Sequence, residues 1–353
     1  FLWPVGTPLL FHRSMRFVVF FLLLGWLAQV LPADAQAPSA VSTALDSALY
    51  LMRTHSLYAG RGDWPRVADS VHYRARRART LHEALPALAY AFDQLGDYHG
   101  LLATDSASHR LPPPVDGAAR LSAGIRREYL KGPRIRTVRL APTVAYLKVP
   151  AMIGTKPEVV SRWANALRDS LCRLLSARPA ALVLDLRMNN GGNIAPMLAG
   201  LAPLLGEGPQ AYTIARTGRA VGTLATRQGA AVDEHGTVLA AAQSACAPAR
   251  PILLAVLIGP ATGSSGEILA LALRARPHAR TFGEASSGYC GVTAGFLFAR
   301  QTGYLLLTTG NVADAARRVN ITQQLQPDTV VASRADDFEN LPADPAVQAA
   351  LRW

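Results

Sequence analysis

The chain has 353 residues, 50% of them hydrophobic and 17% charged, a globular composition long enough for one large or two modest domains. A core of that size needs no help from disulfides. Formal net charge is +12, but the basic residues are nearly all arginines scattered along the chain, which argues against a nucleic-acid partner. The one denser run, Arg74, Arg76, Arg77 and Arg79, has the pattern of a solvated helix face.

In chain order, Met15-Arg16 opens a three-part export pattern. An apolar run from Phe17 to Leu31 leads to the small-residue site Ala35-Gln36-Ala37, so residues 1–37 are expected to be an upstream segment and cleavable signal. A retained anchor is the alternative, although the run is short and soon followed by Pro32 and Asp34. No cysteine follows it for lipid attachment. The mature protein is expected in the periplasm or outside the cell, off the membrane.

Residues 38–102 read as a cap of three helices, with Leu81, Leu85, Leu88 and Phe92 at helical spacing in the third. Residues 103–142 are polar and proline-rich, Pro112 to Pro114 in a row, and read as loop or linker. From 143 to 353 strands alternate with helices. Val144 to Val149 is a strand, and 159–175 is a helix. Ala181 to Leu186 is a buried strand, followed by a glycine turn and a helix from Ile194 to Leu201. Ile252 to Ile258 repeats the unit, with a helix from Glu267 to Leu273. An α/β fold follows, with ligands expected at the carboxyl ends of its strands.

Two of those turns carry the chemistry. In Gly259-Pro-Ala-Thr-Gly-Ser-Ser-Gly-Glu267 a strand gives way to a helix across an exposed hydroxyl. A serine there projects into a cleft, beside N–H groups at the helix start that can hold an oxyanion. The bland alternative is that Ser264 or Ser265 simply caps the helix. The GxSxG spacing of the α/β-hydrolase elbow is absent. In Asp185-Leu-Arg-Met-Asn-Asn-Gly-Gly-Asn193, Gly191 and Gly192 let backbone approach a substrate; a phosphate-binding turn would need a lysine or GxGxxG that is missing. Cys172, Cys246 and Cys290 form neither a CxxC pair nor a metal spacing, so one disulfide with a free thiol, or none, are both open.

These segments resemble the tail-specific, or C-terminal processing, serine protease family (peptidase family S41). The likeness extends through Pro196-Met-Leu, Phe282-Gly-Glu284, Leu306-Leu-Thr-Thr309 and Pro327-Asp328, and upstream through Asp63-Trp64 and Gly96-Asp-Tyr-His99. It implies a crotonase/ClpP-like α/β core of strand-turn-helix units with an N-terminal three-helix cap. It implies peptide or protein substrates and no cofactor or metal. About 45 residues separate His99 from Val144, too few for the PDZ domain that many members carry.

The resemblance maps the nucleophile to Ser264, and the oxyanion hole to the Gly191-Gly192 turn and the Ser265 N–H. The lysine base of the best-known branch has no counterpart: no lysine follows Lys156, and Tyr289 and Cys290 stand where it would be. Arginine stays protonated and cannot replace it. The tricorn-like branch uses a histidine before the core instead, which maps to His99, with a pKa suited to neutral pH. His55, His72, His82, His109, His235 and His278 lie at no family position. That branch also has a glutamate before the Pro-Asp pair, where this chain has Gln326, and a hydroxyl residue where it has Gly100. The third catalytic member is therefore unassigned. A non-catalytic binder of peptides or apolar ligands, or an esterase or amidase, are the rival readings.

Overall fold

The computed structural model describes residues 40–112, 120–244, 246 and 251–353; the expected leader lies outside them. Three cap helices come first: α1 (Ala40–His55), α2 (Trp64–Ala75) and α3 (Leu81–Asp93). Side chains set their starts. Asp63 accepts from the Arg66 N–H before α2, and Thr80 from the Glu83 N–H before α3. Leu45, Met52, Val71, Leu88 and Phe92 close a shared apolar cluster.

The chain then runs through β1 (Leu101–Thr104), β2 (Ser108–His109), α4 (Ala123–Leu130), β3 (Arg136–Ala141), β4 (Val144–Lys148), α5 (Pro157–Ser176), β5 (Ala181–Asp185) and α6 (Ile194–Leu205). Next come β6 (Gly208–Ala215), β7 (Ala220–Arg227), β8 (Ala230–Val232), β9 (Val238–Ala240), β10 (Leu253–Ile258) and α7 (Ser265–Arg274). The last elements are β11 (Ala279–Gly283), β12 (Gly291–Phe298), β13 (Gly303–Asp314), β14 (Val319–Asn320), β15 (Thr329–Val330) and α8 (Pro345–Arg352).

Two sheets form among the described residues. One has the order β15-β11-β10-β5-β4-β3, parallel except for β3. Its inner strands β11, β10, β5 and β4 are largely buried, and alternate residues serve opposite sides. Leu182, Leu184, Leu254 and Val256 pack with α5, α6 and α7, whereas Val183, Ala255 and Leu257 meet Ala346, Val347 and Ala350 of α8. Helices α5 and α6 approach closely because Gly200 has no side chain; a Cβ there would sit 2.7 Å from Leu167. The second sheet is built around the long strand β13, which pairs with β1, β6, β12 and β14. Leu305 and Leu307 of β13 and Phe298 of β12 belong to the cap cluster, so the cap is seated on this sheet.

One expectation needs correction. The segment 103–142 is not only a linker: it contributes β2, α4 and β3. Its helix hides from a hydrophobic count because α4 buries a charge, Glu128, against the equally buried Lys148. The stretch after α6, unassigned from sequence, forms β6 to β9. Of the two options for the cysteines the structure takes the first. Cys172 and Cys246 are bonded across 74 positions, and Cys290 is free and buried. Closing a loop of that length removes about 4 kcal/mol of entropy from the unfolded chain in the simple loop model. No helix among the described residues is long and apolar enough to cross a membrane.

Candidate active site

Strands β5 and β10 are parallel neighbours, with Asp185 level with Leu257. Their following turns therefore meet at one sheet edge. The Gly191-Gly192 turn is pinned from both sides: the Met152 N–H donates to the Gly191 carbonyl at 3.2 Å, and the Asn193 N–H to the Met152 carbonyl at 2.7 Å. Beneath it, Arg187 grips Asp185 at 2.7 Å and Asp344 at 2.9 Å, all three buried. Burial opposes the Asp185 charge, but Arg187 outweighs it and holds the carboxyl below its usual range.

Ser264 sits between β10 and α7 with φ 52° and ψ −119°. A non-glycine residue held there carries roughly 1–3 kcal/mol of backbone strain. The turn thus takes the strained strand-to-helix shape of a nucleophile elbow without that motif's sequence. Its neighbours permit the shape. A Cβ on Gly191 would fall 2.8 Å from the Ser264 Cβ, and one on Gly266 would fall 2.2 Å from the Asn189 carbonyl oxygen. The Ser265 hydroxyl donates to the Gly192 carbonyl at 2.6 Å, tying the two turns together.

The predicted oxyanion donors are not equivalent. The Gly191 N–H already donates to Asn189 Oδ1 at 3.1 Å. The N–H groups of Gly192 and Ser265 have no partner among the described residues. The site therefore brings together two uncommitted donors, one from each turn.

Glu267, fully buried, organises the rest. One carboxylate oxygen accepts from the N–H of Ser264 at 2.7 Å and of Tyr289 at 2.9 Å. The other accepts from the Gly288 N–H at 2.9 Å and from the Ser286 hydroxyl. Burial pushes Glu267 up to about 7, with the four hydrogen bonds pulling the other way. The clamped 286–289 loop is also held from outside, since Arg120 donates to the carbonyls of Ala285 and Ser286 at 2.6 and 3.1 Å.

Glu267→Gln puts an NH2 group where the loop presents only donors. Each buried bond left unmade costs about 1–3 kcal/mol. A clear fall in Tm is expected. A folded pKa above the ordinary 4.5 means this group's stabilisation is complete below about pH 4.5 and lost as pH rises through about 7. Urea titrations across that interval should show the slope in the parent protein and a flatter one in Glu267→Gln. An unchanged slope would show that Glu267 is not the titrating group.

His99 lies in the turn between α3 and β1. Asp97, fully buried, forms that turn: it accepts from the N–H groups of His99 and Gly100 at 3.2 and 3.1 Å, and from the N–H and hydroxyl of Thr308 at 2.7 and 2.8 Å. Gly100 has a steric reason, because a Cβ there would lie 2.9 Å from the Leu306 carbonyl oxygen. A hydroxyl residue does not fit at that position. The His99 ring packs against the Tyr289 ring, centroids 5.3 Å apart. Burial lowers its pKa below the ordinary 6.5, Asp97 counteracting and Arg110 adding to the fall. Its Nδ1 is buried without a partner among the described residues.

The 286–289 loop therefore links two separate turns: His99 packs against the Tyr289 ring, and the Ser264 N–H shares a Glu267 carboxylate oxygen with the Tyr289 N–H. Sequence reasoning missed Glu267, Tyr289 and Arg120 as parts of the site. Glu267 had a signal in the Ser-x-x-Glu spacing of a capping box, and Tyr289 in its place where the family's lysine would stand. Asp97 and Asp328 hold backbone in place: Asp328 accepts from the N–H and hydroxyl of Thr281, both at 2.8 Å.

The model of peptidase family S41 matches residues 143–331, more than half of the chain. The chain belongs to peptidase family S41. It is a serine peptidase, and its substrates are peptides or proteins. It is similar to the nisin-resistance protein of Lactococcus lactis subsp. lactis, 24% identical over 287 residues that cover 80% of each protein. Its fold is shared by a lipoprotein from Streptococcus agalactiae (TM-score 0.65, 20% identity, 92% of this chain and 98% of that one). It is shared also by the photosystem II D1 C-terminal processing protease (TM-score 0.59, 14% identity, 88% and 97%). The α/β core with its helical cap is therefore the S41 arrangement.

Proposed function

We propose that this S41 peptidase is exported and cuts peptide bonds through an acyl-enzyme on Ser264, with His99 as general base. His99 returns the proton to the leaving amine, and the N–H groups of Gly192 and Ser265 hold the oxyanion. The carrying observation is the shared loop: Glu267 binds both the Ser264 and Tyr289 N–H groups, and Tyr289 faces His99. A histidine with a lowered pKa is neutral at pH 7 and ready to accept a proton.

The test is covalent labelling by a fluorophosphonate probe, with the modified residue located by mass spectrometry. Modification at Ser264 is expected. Peptide binding without labelling would favour the non-catalytic reading, and turnover of esters but not peptides would favour an esterase. Nisin, named by the Lactococcus relative, belongs among the peptides tried.

Export is supported by the leader pattern in residues 15–37, by the Cys172–Cys246 disulfide, which persists in oxidising compartments, and by the lipoprotein name of one structural relative. Intact-mass analysis of the mature protein should place its first residue near Pro38. A membrane fraction holding the uncut leader would show an anchor instead.

A further inference from the structure

Between α4 and the loops that follow β4 and β5 lies a cavity of about 230 Å³, room for one large side chain. Tyr129, Pro133, Pro150, Ile153 and Met188 form its walls, completed by Asn190, the residue before the Gly191-Gly192 turn. Ile153 is 72% exposed and Tyr129 59%. Large apolar side chains gathered round one opening mark a surface that meets a partner.

Position says which partner. Strands β4, β5 and β10 are adjacent and parallel, so the cavity opens on the same sheet edge as Ser264. Two strand spacings, about 10 Å, separate the loop after β4 from the one after β10, and an extended peptide covers that in about three residues. The two regions also touch: a Cβ on Gly192 would lie 3.3 Å from the Ile153 nitrogen, and one on Gly263 3.6 Å from the Asn190 carbonyl oxygen.

Charge at the cavity refines the choice. Glu128 and Lys148 are paired, each side chain 2% exposed, and the same carboxylate takes Arg134 at 2.7 Å and Lys131 at 3.1 Å. Three cations thus share one carboxylate, which leaves the group net positive. A cationic guest meets like charge, and a hydroxyl or amide guest finds no free carboxylate to bond.

We propose that this cavity is a specificity subsite. It takes one large, uncharged, apolar side chain of the substrate peptide, within about three residues of the scissile bond, and refuses lysine and arginine. The proposal rests on the reading of the Ser264 turn as the place of cleavage.

The experiment is cleavage-site profiling of a diverse peptide library by mass spectrometry, with the full protein and with Ile153→Glu. At one position near the cut, Leu, Met or Phe should exceed Lys by at least roughly tenfold in kcat/KM. Ile153→Glu should reduce that ratio by roughly tenfold and admit basic residues. Tyr129→Glu, at a second exposed wall position, should act in the same direction. A library left uncut, no preference at any position, or one profile shared by parent and both variants would overturn the subsite. Fluorophosphonate labelling of the parent, run in parallel, bears on Ser264 alone, because the profile reports the subsite whichever residue attacks.

Discussion

Replacing Ser264 with alanine should abolish fluorophosphonate labelling and lower peptide turnover by roughly 10⁴-fold or more, the scale seen when a serine nucleophile is removed. Ser265→Ala should keep labelling, at a reduced rate, because it loses only the 2.6 Å bond to the Gly192 carbonyl and retains its own N–H. The contrast is the informative part. The two serines are adjacent, but one hydroxyl is spent joining two turns, and the other sits on a residue strained to φ 52°. If the Ser264→Ala protein labelled like its parent, the nucleophile assignment would be wrong.

His99→Gln should lower kcat/KM by roughly 10²- to 10⁴-fold, the contribution of a positioned general base, while circular dichroism shows the fold retained. The fold should survive because the turn is held by Asp97 through backbone groups and Thr308, not by the imidazole. A pH profile separates a base from a mere contact. With its pKa lowered by burial, His99 stays neutral to below pH 6.5. The acid limb of kcat/KM should then fall below that value and be missing from the residual activity of His99→Gln. Turnover equal to that of the parent would end the histidine mechanism.

The strand-turn-helix units were legible in the sequence because each is local: a buried run, a glycine turn, an apolar helix. Residue-level ends were less so. The helix after Ser264 begins at Ser265, two residues before its first acidic residue, and α6 runs past Leu201 to Leu205. Residues 206–246 were silent since short strands rich in alanine, threonine and glycine give little alternation to read. In 123–142 the misleading feature was physical: α4 buries Glu128 against Lys148 of β4, so a charged residue occupies a core position on the helix. The candidate site divides in the same way. Ser264 and the glycine pair stand in recognisable turns, and His99 was found by family resemblance. The Ser-x-x-Glu spacing announces the bond from Ser264 to Glu267, but the His99–Tyr289 contact and the reach of Arg120 to Ala285 join segments far apart in the chain, and no spacing encodes them.

The bonds from Asp97 to Thr308 span 211 positions. Nothing near Asp97 in the chain substitutes for them, so the turn that carries His99 cannot be completed until β13 has been made and laid into its sheet. Loop closure over such a distance comes late in folding. A chain still being made would carry the serine but no seated imidazole. On the proposed His99 mechanism, proteolytic competence would then arrive only with the finished molecule.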